Sequence, residues 1–440
     1  MTATIHETEE RRDNAAVIVG VELGQMKEGE CNASLDELTR LAETAGARVA
    51  ARLVQAREHP DVRTVIGSGK ISELKTICDE CGAELCIFDC EMTPSQIRNV
   101  EDELGDVRVI DRSMLILDIF ALHAATAEGK LQVELAQLKY TAPRLIGKGK
   151  QLSRLGGGIG TRGPGESKLE SDKRHLARRV AALEAELEAV ENNRRVTRAA
   201  RERSGMPRVA IVGYTNAGKS TLLNRLTDAG ILTEDKLFAT LDPTTRKFTL
   251  PGGESILLTD TVGFIRKLPH HLVKAFRSTL EEAALADILL HIVDASDPEY
   301  PDEMRVTEEL LSELGAGDKP TLVVYNKCDR EAEGIPSPTV LPGAQNRAVC
   351  ISALTGQGMD ELTSCLESIV REGKIRTVFC FPNCEAGQLN TLYRLTAVES
   401  VEYGDEFITA VAVADAKTRG VLAKYISGAA EETGAGGAEF

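Results

Sequence analysis

The stretch from 209 to 223 has the residue types and spacing of a loop that binds phosphate groups. The apolar run Val209–Val212 predicts a buried strand, and the residues from Thr221 onward predict a helix. Backbone N–H groups in such a loop, and the N terminus of the helix that follows it, attract phosphate oxygens. The residues predicted to bind phosphates are Gly213, Tyr214, Thr215, Asn216, Ala217, Gly218, Lys219, Ser220 and Thr221.

Two side chains of this loop have a defined chemistry. Lys219 is placed to reach the β- and γ-phosphates of a nucleotide, and the Ser220 hydroxyl is placed to bind Mg²⁺. The alternative is a Gly-rich turn before a helix, in which the fixed positions of the motif would coincide by chance. We therefore predict a nucleoside triphosphate site.

A second motif follows the apolar run Ile256–Leu258 and reads Asp260, Thr261, Val262 and Gly263. A carboxylate at that strand end would hold Mg²⁺ through water, and the Gly263 N–H would reach the γ-phosphate. The order of the two motifs along the chain is the one that a GTPase needs.

Two further motifs predict that the base is guanine. After the run Thr321–Tyr325 come Asn326, Lys327, Cys328 and Asp329. The Asp329 carboxylate can accept the N1 and N2 hydrogens of guanine, whereas adenine has no donors at those positions. The last motif, which would offer the Ala353 N–H to the base oxygen, consists of Ser352, Ala353 and Leu354. All four motifs follow predicted strands, and ligands bind at that edge of an open α/β sheet.

Length and composition describe a chain of two to four domains. It has 440 residues, 42% of them hydrophobic and 27% charged. No apolar run approaches the ~18–20 residues that cross a bilayer, and the acidic N terminus lacks the apolar core of a signal peptide. We expect a cytoplasmic protein without a membrane span, and a monomer.

One segment departs from the acidic character of the chain. Residues 141–205 contain 15 Lys and Arg but 8 Asp and Glu, a net charge of +7, while the whole chain carries −16. Apolar spacing predicts one long helix from Ser113 to near Pro143 and a second from Glu166 to Arg203. The loop between them, 147–165, is rich in Gly and basic residues. This arm is either a solvated antiparallel hairpin or a probe for RNA, with contact candidates Lys148, Lys150, Arg154 and Arg162.

The predicted fold class is α/β and multidomain, with a Ras-like P-loop GTPase domain. We predict an N-terminal α/β domain at 1–112, a helical hairpin arm at 113–205, the GTPase domain at 206–374 and a small C-terminal α/β domain at 375–440. In the last of these we predict strands at Leu392–Ala397 and Phe407–Val413.

Ten cysteines in a cytoplasmic chain are expected to be thiols. Cys78, Cys81, Cys86 and Cys90 cluster, and the first two have the spacing of metal ligands. Cys86, however, alternates within the apolar run Leu85–Phe88 and would face a core, so a structural metal and a packed core are both open.

Three stretches carry a resemblance to a known family: Gly129–Tyr140, Ser153–Glu166 and Asp260–His270. On these the chain resembles HflX-type ribosome-associated GTPases over nearly its whole length. The resemblance implies binding to the large ribosomal subunit and its rRNA, with the arm's loop directed toward the peptidyl-transferase region. It also implies a role in dissociating or rescuing stalled or idle ribosomes.

The same resemblance makes Thr240 the switch threonine, in the sequence Phe238, Ala239, Thr240. Thr244 and Thr245 compete for that role. The implied Mg²⁺ ligands are then Ser220, Thr240 and Asp260, and the groups implied to act in hydrolysis of GTP to GDP are Lys219, Gly263 and Thr240.

Phe264 stands where Ras-like enzymes have the Gln that orients the attacking water. Phenylalanine neither donates nor accepts, so we expect slow hydrolysis by the free protein and stimulation by the ribosome. Asn216 holds a position that in some GTPases accompanies a bound K⁺; the alternative is a hydrogen bond within the loop.

Three function classes remain open. The first is a GTP-fuelled factor that splits or rescues ribosomes. The second is a GTP-dependent RNA-binding switch or assembly factor without splitting activity. The third, a metabolic P-loop enzyme, is disfavoured because the sequence shows no separate substrate site.

Overall fold

A computed structural model gives the fold of the chain. It describes residues 15–27, 29–153, 173–190, 192, 206–227, 237–269, 272–273, 276–330, 347–372, 374–396 and 398–429. Within these ranges no helix is both long enough and apolar enough to cross a bilayer.

The N-terminal part is a parallel sheet with helices packed on it. Its strands are β1 (Ala15–Leu23), β2 (Arg48–Arg57), β3 (Leu85–Phe88) and β4 (Arg108–Asp111), in the order β2-β1-β3-β4. Its helices are α1 (Glu30–Thr44), α2 (Ser68–Cys81) and α3 (Pro94–Leu104). Cys78 and Cys86 are buried in the apolar core with Leu74 and Phe88, and across the described ranges no cluster of His, Cys, Asp or Glu is arranged to hold a metal. Here the two thiols act as small apolar residues.

The long helix predicted from Ser113 to Pro143 is wrong. The chain forms α4 (Arg112–His123) and α5 (Ala127–Ser153), separated by three residues. The break has a tertiary cause, because the Asp242 carboxylate accepts the N–H groups of Ala125 and Thr126, at 2.9 and 2.8 Å. Nor does the helix end near Pro143, which lies inside α5; the loss of one N–H donor there does not stop it.

A helix at 173–190, called α6 here, supplies the second half of the arm. Arg179 donates to both carboxylate oxygens of Glu134 on α5, and Lys139 on α5 pairs with Glu184 at 2.8 Å. Lys148 and Lys150 lie in the last turns of α5. The loop predicted at 147–165 therefore begins too early, because residues 147–153 continue α5. Arg154, Arg162 and the remaining residues to 165 lie outside the described residues.

The central part is a mostly parallel α/β sheet, in agreement with the fold class that the sequence predicts. Its strands are β5 (Arg208–Gly213), β6 (Thr244–Thr249), β7 (Ser255–Asp260), β8 (Ile288–Asp294), β9 (Thr321–Asn326) and β10 (Ala348–Cys350). They run in the order β10-β9-β8-β5-β7-β6, and all pairs except β6–β7 are parallel. The helices are α7 (Lys219–Thr227), α8 (Arg277–Leu285), α9 (Tyr300–Glu313) and α10 (Met359–Glu372).

The C-terminal part is a small antiparallel sheet in the order β12-β13-β11-β14. Its elements are β11 (Lys374–Pro382), α11 (Gly387–Leu395), β12 (Val398–Tyr403), β13 (Phe407–Asp415), α12 (Ala416–Val421) and β14 (Ile426–Ala429). The strand predicted at Leu392–Ala397 is wrong, because Leu389 and Leu392 share the buried face of α11 at helical spacing. The predicted strand Phe407–Val413 falls within β13. The domain bounds themselves stay predictions.

A buried network of charges joins the N-terminal sheet to residues 260–269, called the switch segment here. The Arg112 guanidinium is 2% exposed and pairs with the carboxylates of Glu37 and Asp89, which are 3% and 5% exposed. It also donates to the Arg266 carbonyl at 3.0 Å. From the other side, Lys267 donates to Asp89 at 2.7 Å. Burial by itself raises the pKa of Asp89, but the charges of Arg112 and Lys267 hold that pKa below its ordinary value.

Apolar packing surrounds this network. The Phe120 ring of α4 makes edge contacts with Phe238 and Phe276, at centroid distances of 4.8 and 4.6 Å. Phe120 belongs to the N-terminal part of the chain and the other two rings to the central part, so one core spans both.

We predict that Arg112→Met lowers the free energy of unfolding by ~3–5 kcal/mol, because it leaves the Glu37 carboxylate buried without its cation and Asp89 with Lys267 alone. Urea denaturation followed by circular dichroism measures the loss. Arg63→Met is the matched control: the Arg63–Glu103 pair is exposed, and removing it should cost no more than ~1 kcal/mol. Equal losses for the two variants would contradict the role given to the network.

Candidate functional site

The phosphate loop joins β5 to α7 and is held in shape by two glycines. Gly218 has φ 95°, and a Cβ there would lie 2.2 Å from the Asn326 amide nitrogen. A Cβ on Gly263 would lie 2.8 Å from the Thr215 backbone and 2.9 Å from the Lys219 amine. The close approach of these three segments therefore requires glycine at both positions.

Lys219 is buried inside the loop, with 6% of its surface exposed. Its amine donates to the carbonyls of Gly213 and Tyr214, at 3.2 and 2.7 Å. Burial lowers its pKa to about 8, against the opposing attraction of Asp260. Phosphate oxygens are stronger acceptors than these carbonyls, because they carry charge.

Ser220, Thr240 and Asp260 meet at one end of the loop. The Ser220 hydroxyl lies 2.6 Å from Asp260 Oδ2 and 2.8 Å from the Thr240 hydroxyl. The other carboxylate oxygen, Asp260 Oδ1, is buried and makes no hydrogen bond within the described part of the chain. Burial raises the pKa of Asp260, and Lys219 opposes that rise. An orphaned carboxylate oxygen beside two hydroxyls is a donor set that fits Mg²⁺.

The two threonines that competed with Thr240 lie elsewhere. Thr244 and Thr245 belong to β6, where Thr245 shares a hydrogen bond of 3.0 Å with Thr259 on β7. Strand pairing thus occupies both residues, whereas Thr240 lies in the preceding loop beside Ser220.

A cavity of about 60 Å³ lies where these segments converge. Its walls come from the phosphate loop, the Phe238–Thr240 segment and the switch segment: Thr215, Asn216, Gly218, Lys219, Ser220, Thr221, Phe238, Ala239, Thr240, Thr261 and Gly263. Val262 packs in the core behind it, and the Thr261 hydroxyl donates to the Ile211 carbonyl at 2.7 Å. Residues from three separate motifs therefore share one small polar cavity.

Asn326 ties the other two motifs to the phosphate loop. Its amide nitrogen donates to the Ala217 carbonyl at 2.8 Å, and its amide oxygen accepts the Ala353 N–H at 2.9 Å. The Asp329 carboxylate is exposed, and a hydrogen bond from the Ser352 hydroxyl lowers its pKa. Leu354 is 74% exposed.

The contacts made by Asp294 and by the Tyr214 hydroxyl were not predicted from the sequence. Asp294, at the end of β8, pairs with Lys327 at 2.6 Å, and both side chains are 15% exposed. It follows an apolar run at a strand end, the same signal as the four motifs. The Tyr214 hydroxyl donates to Glu37 and accepts the Arg266 N–H at 2.8 Å, which links the phosphate loop to the N-terminal part. No local pattern indicates that contact.

Phe264 is hydrogen-bonded through its backbone to the phosphate loop. Its N–H donates to the Gly213 carbonyl at 3.1 Å, and its carbonyl accepts the Thr215 N–H at 2.8 Å. Its ring is 1% exposed and packs in the core that spans the N-terminal and central parts. The side chain after Gly263 therefore anchors the switch segment and is withdrawn from the cavity.

Family models match three consecutive regions of the chain. Residues 32–121 match the "GTP-binding GTPase N-terminal" model and residues 123–201 the "GTP-binding GTPase Middle Region" model. Residues 208–327 match the "50S ribosome-binding GTPase" model. The first two regions meet near the end of α4, and the third begins with β5.

Curated relatives cover nearly the whole chain. The GTPase HflX of Lacrimispora saccharolytica is 51% identical over 404 residues, which are 92% of this chain and 93% of that protein. The GTPase HflX of Escherichia coli K12 is 41% identical over 386 residues, 87% of this chain and 89% of that protein. A solved GTP-binding protein from Sulfolobus solfataricus in complex with GDP is 27% identical, with TM-score 0.42, over 82% of this chain and 99% of that one. The chain belongs to the HflX family of GTPases and is a GTP hydrolase.

Proposed function

We propose that the chain binds GTP and Mg²⁺ at the cavity between the phosphate loop and the switch segment, and that it hydrolyses GTP when bound to the large ribosomal subunit. The convergence of Lys219 with the Ser220, Thr240 and Asp260 cluster carries the nucleotide part of this proposal. The match to a ribosome-binding GTPase model and the basic arm support the ribosomal part.

Five residues in or beside the cavity have a defined task in this proposal. Lys219 exchanges its two carbonyl partners for β- and γ-phosphate oxygens. Ser220, Thr240 and Asp260 would hold Mg²⁺, and the ion would neutralise charge on the phosphates. The Gly263 N–H reaches the γ-phosphate, and the absence of a Cβ lets the switch segment approach Lys219.

Guanine recognition is assigned to the two loops that Asn326 ties together. Asp329 accepts the N1 and N2 hydrogens, Lys327 lies along the base, and the Ala353 N–H faces the base oxygen. The salt bridge to Asp294 holds Lys327, which stands in left-handed backbone at φ 65°. The low pKa of Asp329 keeps its carboxylate ionised at neutral pH, as an acceptor requires.

We predict that Asp329→Asn weakens GTP binding and shifts preference toward xanthosine nucleotides, because the amide offers a donor where guanine also has donors. Each mismatched hydrogen bond to a charged group should cost ~1.5–3 kcal/mol, or about ten- to a hundredfold in affinity. Titration with fluorescent GDP, XDP and ADP measures the change, and Asp318→Asn, an exposed carboxylate in another loop, is the control. Equal binding of ATP and GTP by the unmodified chain would sink the assignment.

We propose further that the chain uses GTP to dissociate ribosomes. Two ion pairs, Arg179–Glu134 and Lys139–Glu184, join α5 to α6, the two helices that flank the basic loop in the sequence. Arg guanidinium groups suit RNA phosphates and stacked bases. A loop of this kind can compete for space within rRNA, which a GTP-dependent switch without splitting activity would not require.

We predict that deleting residues 156–165 leaves GTP binding intact and abolishes dissociation of 70S ribosomes. Sucrose-gradient sedimentation of intact ribosomes with the protein, in GTP and in GDP, measures the activity. A second variant with Arg154 and Arg162 replaced by Gln keeps the loop length and should bind ribosomes more weakly, with an affinity that depends less steeply on salt because fewer counterions are released. Unchanged dissociation by the deletion variant would favour the plain hairpin, and binding without dissociation by the unmodified chain would favour the RNA-binding switch.

A further inference from the structure

Two cysteines lie side by side where the guanine-recognition loops meet. Cys328 is the third residue of the motif that runs from Asn326 to Asp329, and Cys350 ends β10, two residues before Ser352. Their thiols are hydrogen-bonded to each other. The Cys328 N–H also donates to the Ile351 carbonyl at 3.2 Å, which fixes the backbones beside one another.

The two side chains share one apolar surface. Both pack against the cluster of Val293, Ala295, Val323 and Tyr325, and both are half-buried. Neither takes part in a disulfide. Because Cys328 lies in the loop after β9 and Cys350 at the end of β10, their proximity is a property of the folded chain and not of their spacing in sequence.

A covalent bond between these sulfurs would strain the guanine loops. A disulfide requires the sulfurs to come within about 2.05 Å of each other, far closer than hydrogen-bonded thiols. Cys328 Sγ now donates to the Tyr325 carbonyl at 3.3 Å, and a disulfide has no S–H for that bond. Pulling Cys328 toward β10 displaces its neighbours Lys327 and Asp329, the residues assigned to the base.

We propose that Cys328 and Cys350 form a thiol oxidation site, at which a low-molecular-weight disulfide closes an intrachain disulfide that lowers the affinity for guanine nucleotides. The effect on affinity rests on the proposed guanine site, whereas formation of the bond does not.

The reaction is a balanced exchange. The thiolate of one cysteine attacks the oxidant's S–S bond and releases one thiolate, and the other cysteine attacks the mixed disulfide and releases the second. The two cysteines lose two protons and two electrons, and the oxidant becomes two thiols.

The surroundings set the rate of this exchange. Burial raises the pKa of Cys328 to about 12 and also raises the pKa of Cys350. Thiolate is the attacking species, so at neutral pH the pair is protonated and oxidises slowly, and the rate increases as pH rises toward those pKa values.

The test treats the full chain with glutathione disulfide at pH 7.5 and pH 9, maps disulfides by mass spectrometry of non-reduced peptides, and titrates fluorescent GDP. We expect a peptide that joins Cys328 to Cys350, formed faster at pH 9, and an affinity for GDP lowered at least about tenfold. Dithiothreitol should restore the affinity.

Two variants make the outcome decisive. Cys350→Ser should bind GDP as the reduced chain does and become insensitive to the oxidant, whereas Cys365→Ser, which lacks a thiol on α10, should stay sensitive. Glutathione attached to Cys328 without the intrachain bond overturns the proposal, as does an intrachain bond that leaves GDP affinity unchanged. If the reduced chain fails to prefer GDP over ADP, the guanine assignment fails instead, and the mapped disulfide separates the two cases.

Discussion

The burial of the Arg112 guanidinium is the constraint on which the arrangement of the molecule depends. Its side chain lies 2% exposed between the carboxylates of Glu37 and Asp89, and the Nη2 that contacts Glu37 also donates to the backbone of the switch segment. A buried cation that loses its partners carries a large desolvation penalty. These buried contacts therefore hold the switch segment, which borders the nucleotide site, against the N-terminal sheet.

This hold extends into the chemistry of the site. Tyr214 connects the phosphate loop to the same Glu37, and Phe264 pairs with the phosphate loop through two backbone hydrogen bonds. The position that could orient water is thus occupied by a buried ring that serves packing. In the proposed mechanism a binding partner supplies the missing group or reorders the switch segment. The proposed thiol pair acts at the opposite end of the site, on the base instead of the phosphates.

Local patterns predicted the parts of the site that depend on a few adjacent residues. The phosphate loop, the switch glycine and the guanine motifs all follow strands, so their spacing and the fold class place them at one sheet edge. Contacts between distant residues gave no such signal. Glu37 and Tyr214 are 177 residues apart, and Asp242 breaks the predicted long helix from 117 residues away. In the C-terminal part, Leu389 and Leu392 fit a helix by spacing, but the run is too short for the pattern to separate helix from strand.

The most direct test of the account is single-turnover GTP hydrolysis by the full chain, with and without purified large ribosomal subunits. Because Phe264 is buried and contributes no proton or water chemistry, the free chain should turn over slowly. Large subunits should raise the rate by ~10³–10⁵, the range that activator-supplied groups contribute to this reaction. A fast basal rate that large subunits leave unchanged would contradict the account. If the basal rate instead falls sharply when Na⁺ replaces K⁺, a K⁺ ion bound beside Asn216 supplies the stabilising charge in place of the ribosome.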